Sequence, residues 1–388
     1  MNDAPPTGPT TMPVRPASTG TKILELESLR GLAAMLVVAY HIPKWNPILD
    51  VSVINNGYLM VDTFFGISGF VIYHSYAGRL TSPLEVLRFQ FLRFGRLYAV
   101  HLLFFLVFVL LELTIHVAKS QGFGSNGTVP FSHNTPMAAL WNVMLIQGMI
   151  PGQLPTFNYP SWSISVEFFV YMLFALLILL MRRFVLLAFG TGAAVAVAML
   201  LLHNTFGMDF FVRGVAGFFI GCLIAEALRR HHAFALPQPV GWLIVAAFPA
   251  FLSLKPMDEF DIAIYGLTAA LIVALLRTND FIPSKLLRTP VLVWLGTISY
   301  SIYMSHAAVI WVTNQVVKLI SDLPMIIGPD GGSIQRLSAP AALLASAAIF
   351  IVVLTVSALT FRFVERPSRE ASRRIAWSAP RTAPQAMP

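Results

Sequence analysis

Apolar runs of about twenty residues dominate the chain, and that is the length an α-helix needs to cross a hydrocarbon core about 30 Å thick. They fall near residues 24–43, 57–77, 96–117, 161–181, 184–203, 210–228, 240–254, 260–276, 291–317 and 341–363. None shows the alternation of a barrel strand, so the expected fold class is all-α: a polytopic membrane helix bundle of about ten transmembrane helices. Charged residues make up only 11% of the chain, against roughly a quarter in a soluble domain. With a mean hydropathy of +0.72, too little polar surface remains to cover a water-soluble particle.

The loops set the expected orientation. With both termini in the cytoplasm, twenty of the 26 Lys and Arg residues fall on the cytoplasmic side, as positive loops inside require. The segment 136–150 is too short to span, and counting it as a span would invert every later loop. It reads as a re-entrant or interfacial helix on the outer side. Residues 1–20, rich in Pro, Thr and Gly, read as a disordered cytoplasmic tail. Residues 21–367 form one membrane domain, and 368–388 read as a disordered basic cytoplasmic tail. The net charge of +8 comes from residues that punctuate the apolar runs, so nucleic acid is not an expected partner. One cysteine, Cys222, excludes an internal disulfide and a Cys-based metal site. No HExxH motif is present either, and no metal is expected.

Polar residues inside spans carry the functional signal, because a charged side chain there costs about 2.5–3.5 kcal/mol on insertion scales. The first span, LRGLAAMLVVAYH, holds Arg30 and His41. Eleven residues apart, they share a face to within about 20° and stand about 16 Å apart along the axis. The second, GYLMVDTFFGISGFVIYHSY, places Asp62 on a face with Gly66 and Gly69, where another helix can approach closely. Asp62 needs a cation or N–H donor, and His41 is a candidate. Arg93 and Arg96, i and i+3 at the cytoplasmic start of the third span, can grip phosphates. The fourth span aligns Ser163, Glu167 and Tyr171, and the ninth aligns Gly296, Ser299, Tyr303 and His306. Together these stripes suggest a polar cavity open toward the outer side. A packing ion pair, interhelical hydrogen bonds and snorkelling arginines are the structural readings of the same residues.

In order, SLRGLAAMLVVAYH, DTFFGISGFVI, RFGRLY, PSWSISVEFFVY, LGTISYSIYMSH and VERP (Glu365 to Pro367) resemble the acyltransferase 3 family of multi-span membrane acyltransferases. The resemblance covers nearly the whole membrane region, without the esterase-like domain fused to some members. The family's Arg-x10-His element falls on Arg30 and His41, and its arginine pair on Arg93 and Arg96. Where members usually carry a proline soon after that pair, this chain has Leu97-Tyr98-Ala99. The resemblance implies an enzyme that transfers an acyl group, usually acetyl, from cytosolic acyl-CoA to a hydroxyl of a glycan or other acceptor. In that reading His41 is the general base, and Asp62 or Glu167 orients it. Arg30, Arg93 and Arg96 bind acetyl-CoA as co-substrate, and Trp162, Ser163, Tyr303 and His306 hold the acceptor. The expected partners are acyl-CoA, a glycan or lipid-linked saccharide and membrane lipids, and the expected location is a bacterial inner membrane. A macrolide or small-lipid acceptor is the alternative within the enzyme class. A solute transporter is the alternative outside it, although no broken-helix pair in matched halves appears.

Overall fold

The computed structural model describes residues 22–122, 130–255, 258–320, 323, 325–327 and 333–378; the expected tail at 1–20 and the last ten residues lie outside them. The described chain is helical apart from two three-residue strands, β1 (Met325–Ile327) and β2 (Ser333–Gln335), paired antiparallel. The helices are α1 (Leu24–His41), α2 (Ser52–Asn55), α3 (Met60–Tyr76), α4 (Pro83–Ser120) and α5 (Pro136–Val143). There follow α6 (Trp162–Met181), α7 (Val185–Leu201), α8 (Asp209–Arg230), α9 (Gln238–Leu254) and α10 (Ala263–Arg277). The last are α11 (Ile282–Leu287), α12 (Pro290–Thr297), α13 (Ser299–Ile320), α14 (Ala339–Thr360) and α15 (Arg366–Ser378). Among the described residues, five helical stretches are long and apolar enough to cross a membrane: 83–120, 159–201, 209–230, 260–277 and 339–376. With its large exposed hydrophobic side chains along these helices, this is an integral membrane protein.

Three elements differ from expectation, each for a local reason. Helix α4 begins at Pro83, thirteen residues before the expected span. There Ser82 accepts the Glu85 N–H and Glu85 accepts the Thr81 N–H at 2.8 Å, a capping box with proline at the first helical position. Arg93 and Arg96 therefore sit within a continuous helix, and the missing proline after them has no effect on where it starts. The run 291–317 is broken at Ile298 into α12 and α13. At the break Gly296 presses on the α1 backbone at Glu27 and Ser28, and Gly31 presses back on Gly296. The stretch 368–378, expected to be disordered, is helical. A π-turn at Phe361–Glu365 joins α14 to α15, so the chain continues rather than ending at the membrane. The short helix α5 ends at Val143, and the rest of 136–150 consists of turns.

The glycines on α3 find the close neighbour their face called for, and it is α8. A side chain at Gly69 would meet the Phe218 carbonyl, and one at Gly221 would meet the Gly66 carbonyl. Around this crossing lies an aromatic core of Tyr73, Phe89, Phe174, Phe189, Phe218 and Phe219. Helices α1, α13 and α14 share a second, smaller core around Ala34, Val38, Ile302 and Val353. The candidate site runs between the two.

Candidate active site

The last turn of α1 and the second turn of α13 bring two histidines together. His41 Nδ1 lies 2.9 Å from the Val37 carbonyl and 3.2 Å from His306 Nε2. The Val37 carbonyl can only accept, so in neutral His41 the proton sits on Nδ1 and the lone pair on Nε2. The Tyr159 ring stands 5.2 Å from the His41 ring, centre to centre, and His306 is fully buried. One turn along α13, Tyr303 accepts a hydrogen bond from Ser163 Oγ at 2.8 Å and donates to the Pro160 carbonyl at 2.8 Å. Asn158 Nδ2 donates to the Met304 carbonyl at 3.0 Å, fastening the turn before α6 to the same helix.

One turn deeper on α6, Glu167 accepts from Ser68 Oγ at 2.7 Å and from the Tyr171 hydroxyl. The buried carboxylate is thus held by α3 and by its own helix. Tyr300, two turns from His306 and about 9 Å along the α13 axis, donates to the Leu97 carbonyl at 2.5 Å. Helix α13, which carries His306, is therefore bonded to α4 at the residue after Arg96.

At the far end the arginines gather. The charges of Arg30, Arg93 and Arg96 all reach Tyr171. Arg93 donates to the Tyr76 hydroxyl at 3.0 Å, and its guanidinium lies 5.2 Å from the centre of the Tyr76 ring. Glu365, almost fully buried, accepts from Ser301 Oγ at 2.8 Å and lies 3.4 Å from Arg369. The Nε atoms of Arg30 and Arg93 are buried and have no hydrogen-bond partner among the described residues. Arginines with donors left over beside only partly compensating carboxylates suit a ligand bearing phosphates.

Two expected residues are engaged elsewhere. Asp62 does not face His41: it takes two hydrogen bonds from Arg213, Nε at 3.1 Å and Nη2 at 2.5 Å, and one from the Tyr265 hydroxyl at 2.9 Å. Trp162 stacks on Phe210 at 4.1 Å and lies under the Arg213 guanidinium, alongside that ion pair rather than beside His306. Glu167 is not bonded to His41 either; the group on the imidazole is His306. Of the expected residues, the fold brings His41 against His306 and Ser163 against Tyr303, and places Arg30, Arg93 and Arg96 around Tyr171, the partner of Glu167.

Three further residues belong to the neighbourhood. Glu365 and Arg369 lie in and just after the VERP block, where the π-turn directs them inward. Lys44 follows His41 by three residues at the histidine end. Its Nζ is buried without a hydrogen-bond partner among the described residues, and burial lowers the pKa of the ammonium. No spacing signal marks Lys44, because its position depends on how the loop after α1 folds back.

The model of the acyltransferase domain family matches residues 23–362, and this chain belongs to that family. Acyltransferase MdmB of Streptomyces mycarofaciens is 27% identical over 385 residues, covering 89% of this chain and 92% of MdmB. Peptidoglycan O-acetyltransferase OatA of Listeria monocytogenes is 23% identical over 380 residues, covering 89% of this chain but only 55% of OatA. No solved structure matches.

Proposed function

We propose that this protein is an acyl-CoA-dependent O-acyltransferase of the bacterial inner membrane. It crosses the bilayer about ten times, with both termini and the arginine end in the cytosol. The observation that carries this reading is the placement of His41 against His306 at one end of α1 and of Arg30, beside the α4 arginines, on the same helix. Their separation, about 16 Å from Arg30 to His41 along α1, is on the scale of an extended pantetheine arm. Arg30, Arg93 and Arg96 hold the phosphates of CoA at the inner mouth, and the thioester reaches the histidines.

The acceptor hydroxyl, held from the outer side by Ser163 and Tyr303, loses its proton to His41 Nε2 as its oxygen attacks the thioester carbonyl. His306 accepts the Nδ1–H of His41 and so keeps the ring in the basic tautomer, the orienting part expected of a carboxylate. Collapse of the tetrahedral intermediate breaks the C–S bond. The CoA sulfur recovers the proton from the imidazolium, giving an ester and free CoA. Glu167, bonded to Ser68 and Tyr171, acts as a positioning residue for the middle of the site. The acyl group is acetyl and the acceptor is a cell-surface or exported glycan, a reading supported by similarity to a peptidoglycan O-acetyltransferase.

The test is transfer of label from acetyl-CoA into an alkali-labile product in membranes supplied with envelope glycans or lipid-linked saccharide. His41→Ala is expected to lose about 10²–10⁴ in rate at matched expression, the usual worth of a general base. Equal labelling by wild type and His41→Ala removes His41 from the chemistry. Solute uptake that is indifferent to CoA favours a transporter instead.

A further inference from the structure

Helix α15 packs along α4, and one contact falls on Gly95, which stands between Arg93 and Arg96. Ser368 Oγ donates to the Gly95 carbonyl at 2.7 Å, and the side chain of Ser372 occupies the space a Gly95 side chain would need. Arg369 lies between those two serines in the sequence and is brought to the arginine pair by the same contact. Its side chain is only one-quarter exposed, whereas Arg366, on the outer face of the same helix, is two-thirds exposed and pairs with Glu370 at 2.8 Å. Glu365, one turn earlier, is held by Ser301 and lies within reach of the charges of Arg96, Arg369 and Arg30. One buried carboxylate is therefore paired with Arg369 of α15 and lies close enough to Arg96 of α4 and Arg30 of α1 to feel their charge. That is the arrangement of an internal counter-ion that holds guanidinia together while leaving donors to spare. The buried, unpartnered Nε atoms of Arg30 and Arg93 are such donors.

We infer that Arg369 is a fourth phosphate-binding residue of the donor site, and that Glu365 is a positioning residue that orients Arg369 toward the pair on α4. The inference rests on the acyl-CoA reading and extends it to the ligand: the group bound is the phosphorylated nucleotide end of CoA. The C-terminal helix is accordingly a wall of the donor site.

The experiment measures equilibrium binding of CoA, and of pantetheine as a phosphate-free probe, to the purified full chain in lipid nanodiscs, together with KM and kcat for acetyl-CoA. Arg369→Gln is expected to weaken CoA binding about ten- to hundredfold, the factor one charge-assisted hydrogen bond carries. It should raise KM with little change in kcat and leave pantetheine binding unaltered. Arg369→Lys should recover part of the loss, Arg366→Gln should behave as wild type, and Glu365→Gln should shift KM in the direction of Arg369→Gln. Loss of pantetheine and CoA binding to the same degree in Arg369→Gln would mark a structural role and overturn the inference. Wild-type protein that binds CoA, with Arg93→Gln weakened and Arg369→Gln unchanged, overturns this inference alone. Wild-type protein that holds no CoA overturns the donor reading, and this inference with it.

Discussion

Asp62 illustrates how a single buried charge is committed. With 2% of its side chain exposed, it takes both forks of the Arg213 guanidinium and the Tyr265 hydroxyl. Removing one partner leaves the other charge uncompensated in a low-dielectric interior, which costs about 3–5 kcal/mol. Arg213→Gln alone is therefore expected to lower the thermal midpoint of the detergent-solubilised protein markedly. The double substitution Asp62→Asn with Arg213→Gln should recover much of the loss, because no unpaired charge remains. Additive effects in that cycle would mean the pair is not coupled. The histidine pair answers to a different measurement: His306→Gln keeps a hydrogen-bonding group beside His41 Nδ1 but changes the orienting partner. Its kcat is expected to fall by about tenfold or more, with KM for acetyl-CoA nearly unchanged. A change confined to KM for the donor would place His306 in donor binding instead.

At the scale of elements, glycine decides where helices cross. The α3–α8 crossing brings backbone against backbone at Gly66, Gly69, Gly217 and Gly221, the small-residue packing that substitutes for the hydrophobic effect between membrane helices. Gly69→Val forces a side chain into the Phe218 carbonyl, where only backbone movement can make room. Overpacking of this kind costs about 1–3 kcal/mol or more. A lowered melting temperature is expected, whereas Gly78→Ala, with open space around it, should leave the midpoint unchanged. A Gly69→Val protein as stable as wild type would show that α3 and α8 do not meet there. The π-turn before α15 is the other element with consequences: its extra residue per turn aims Glu365 and Arg369 inward, while Arg362 and Phe363 stay outside.

For the molecule as a whole, the single buried Cys222 makes topology measurable without first removing a reactive thiol. A membrane-impermeant maleimide is expected to label Asp258→Cys, in the loop after α9, on intact spheroplasts. It should label Glu370→Cys, on α15, only after permeabilisation. The reverse pattern would put the arginine end outside, away from cytosolic CoA, and would overturn the proposed direction of transfer.

The sequence alone determined the class of this protein: an all-helical membrane chain whose apolar runs and ordered motifs place it with the acyltransferases, a membership the family match confirms. Those properties are local. Hydrophobic length, helical phase and the order of short motifs can be read without knowing what touches what. Arg30 and His41 were legible for that reason, since both lie on one face of one helix. The tertiary structure decided the pairings. Depth alone makes His41 a candidate partner for Asp62, yet α8 supplies Arg213 across the glycine crossing, and its guanidinium bonds both carboxylate oxygens. His306, from a helix 265 positions further along, took the place beside His41. Polarity by itself reads the residues after Pro367 as a tail, because a polar stretch favours solvent unless something packs against it. Gly95, Ser368 and Ser372 show what does pack against it, and only that contact makes Arg369 part of the site.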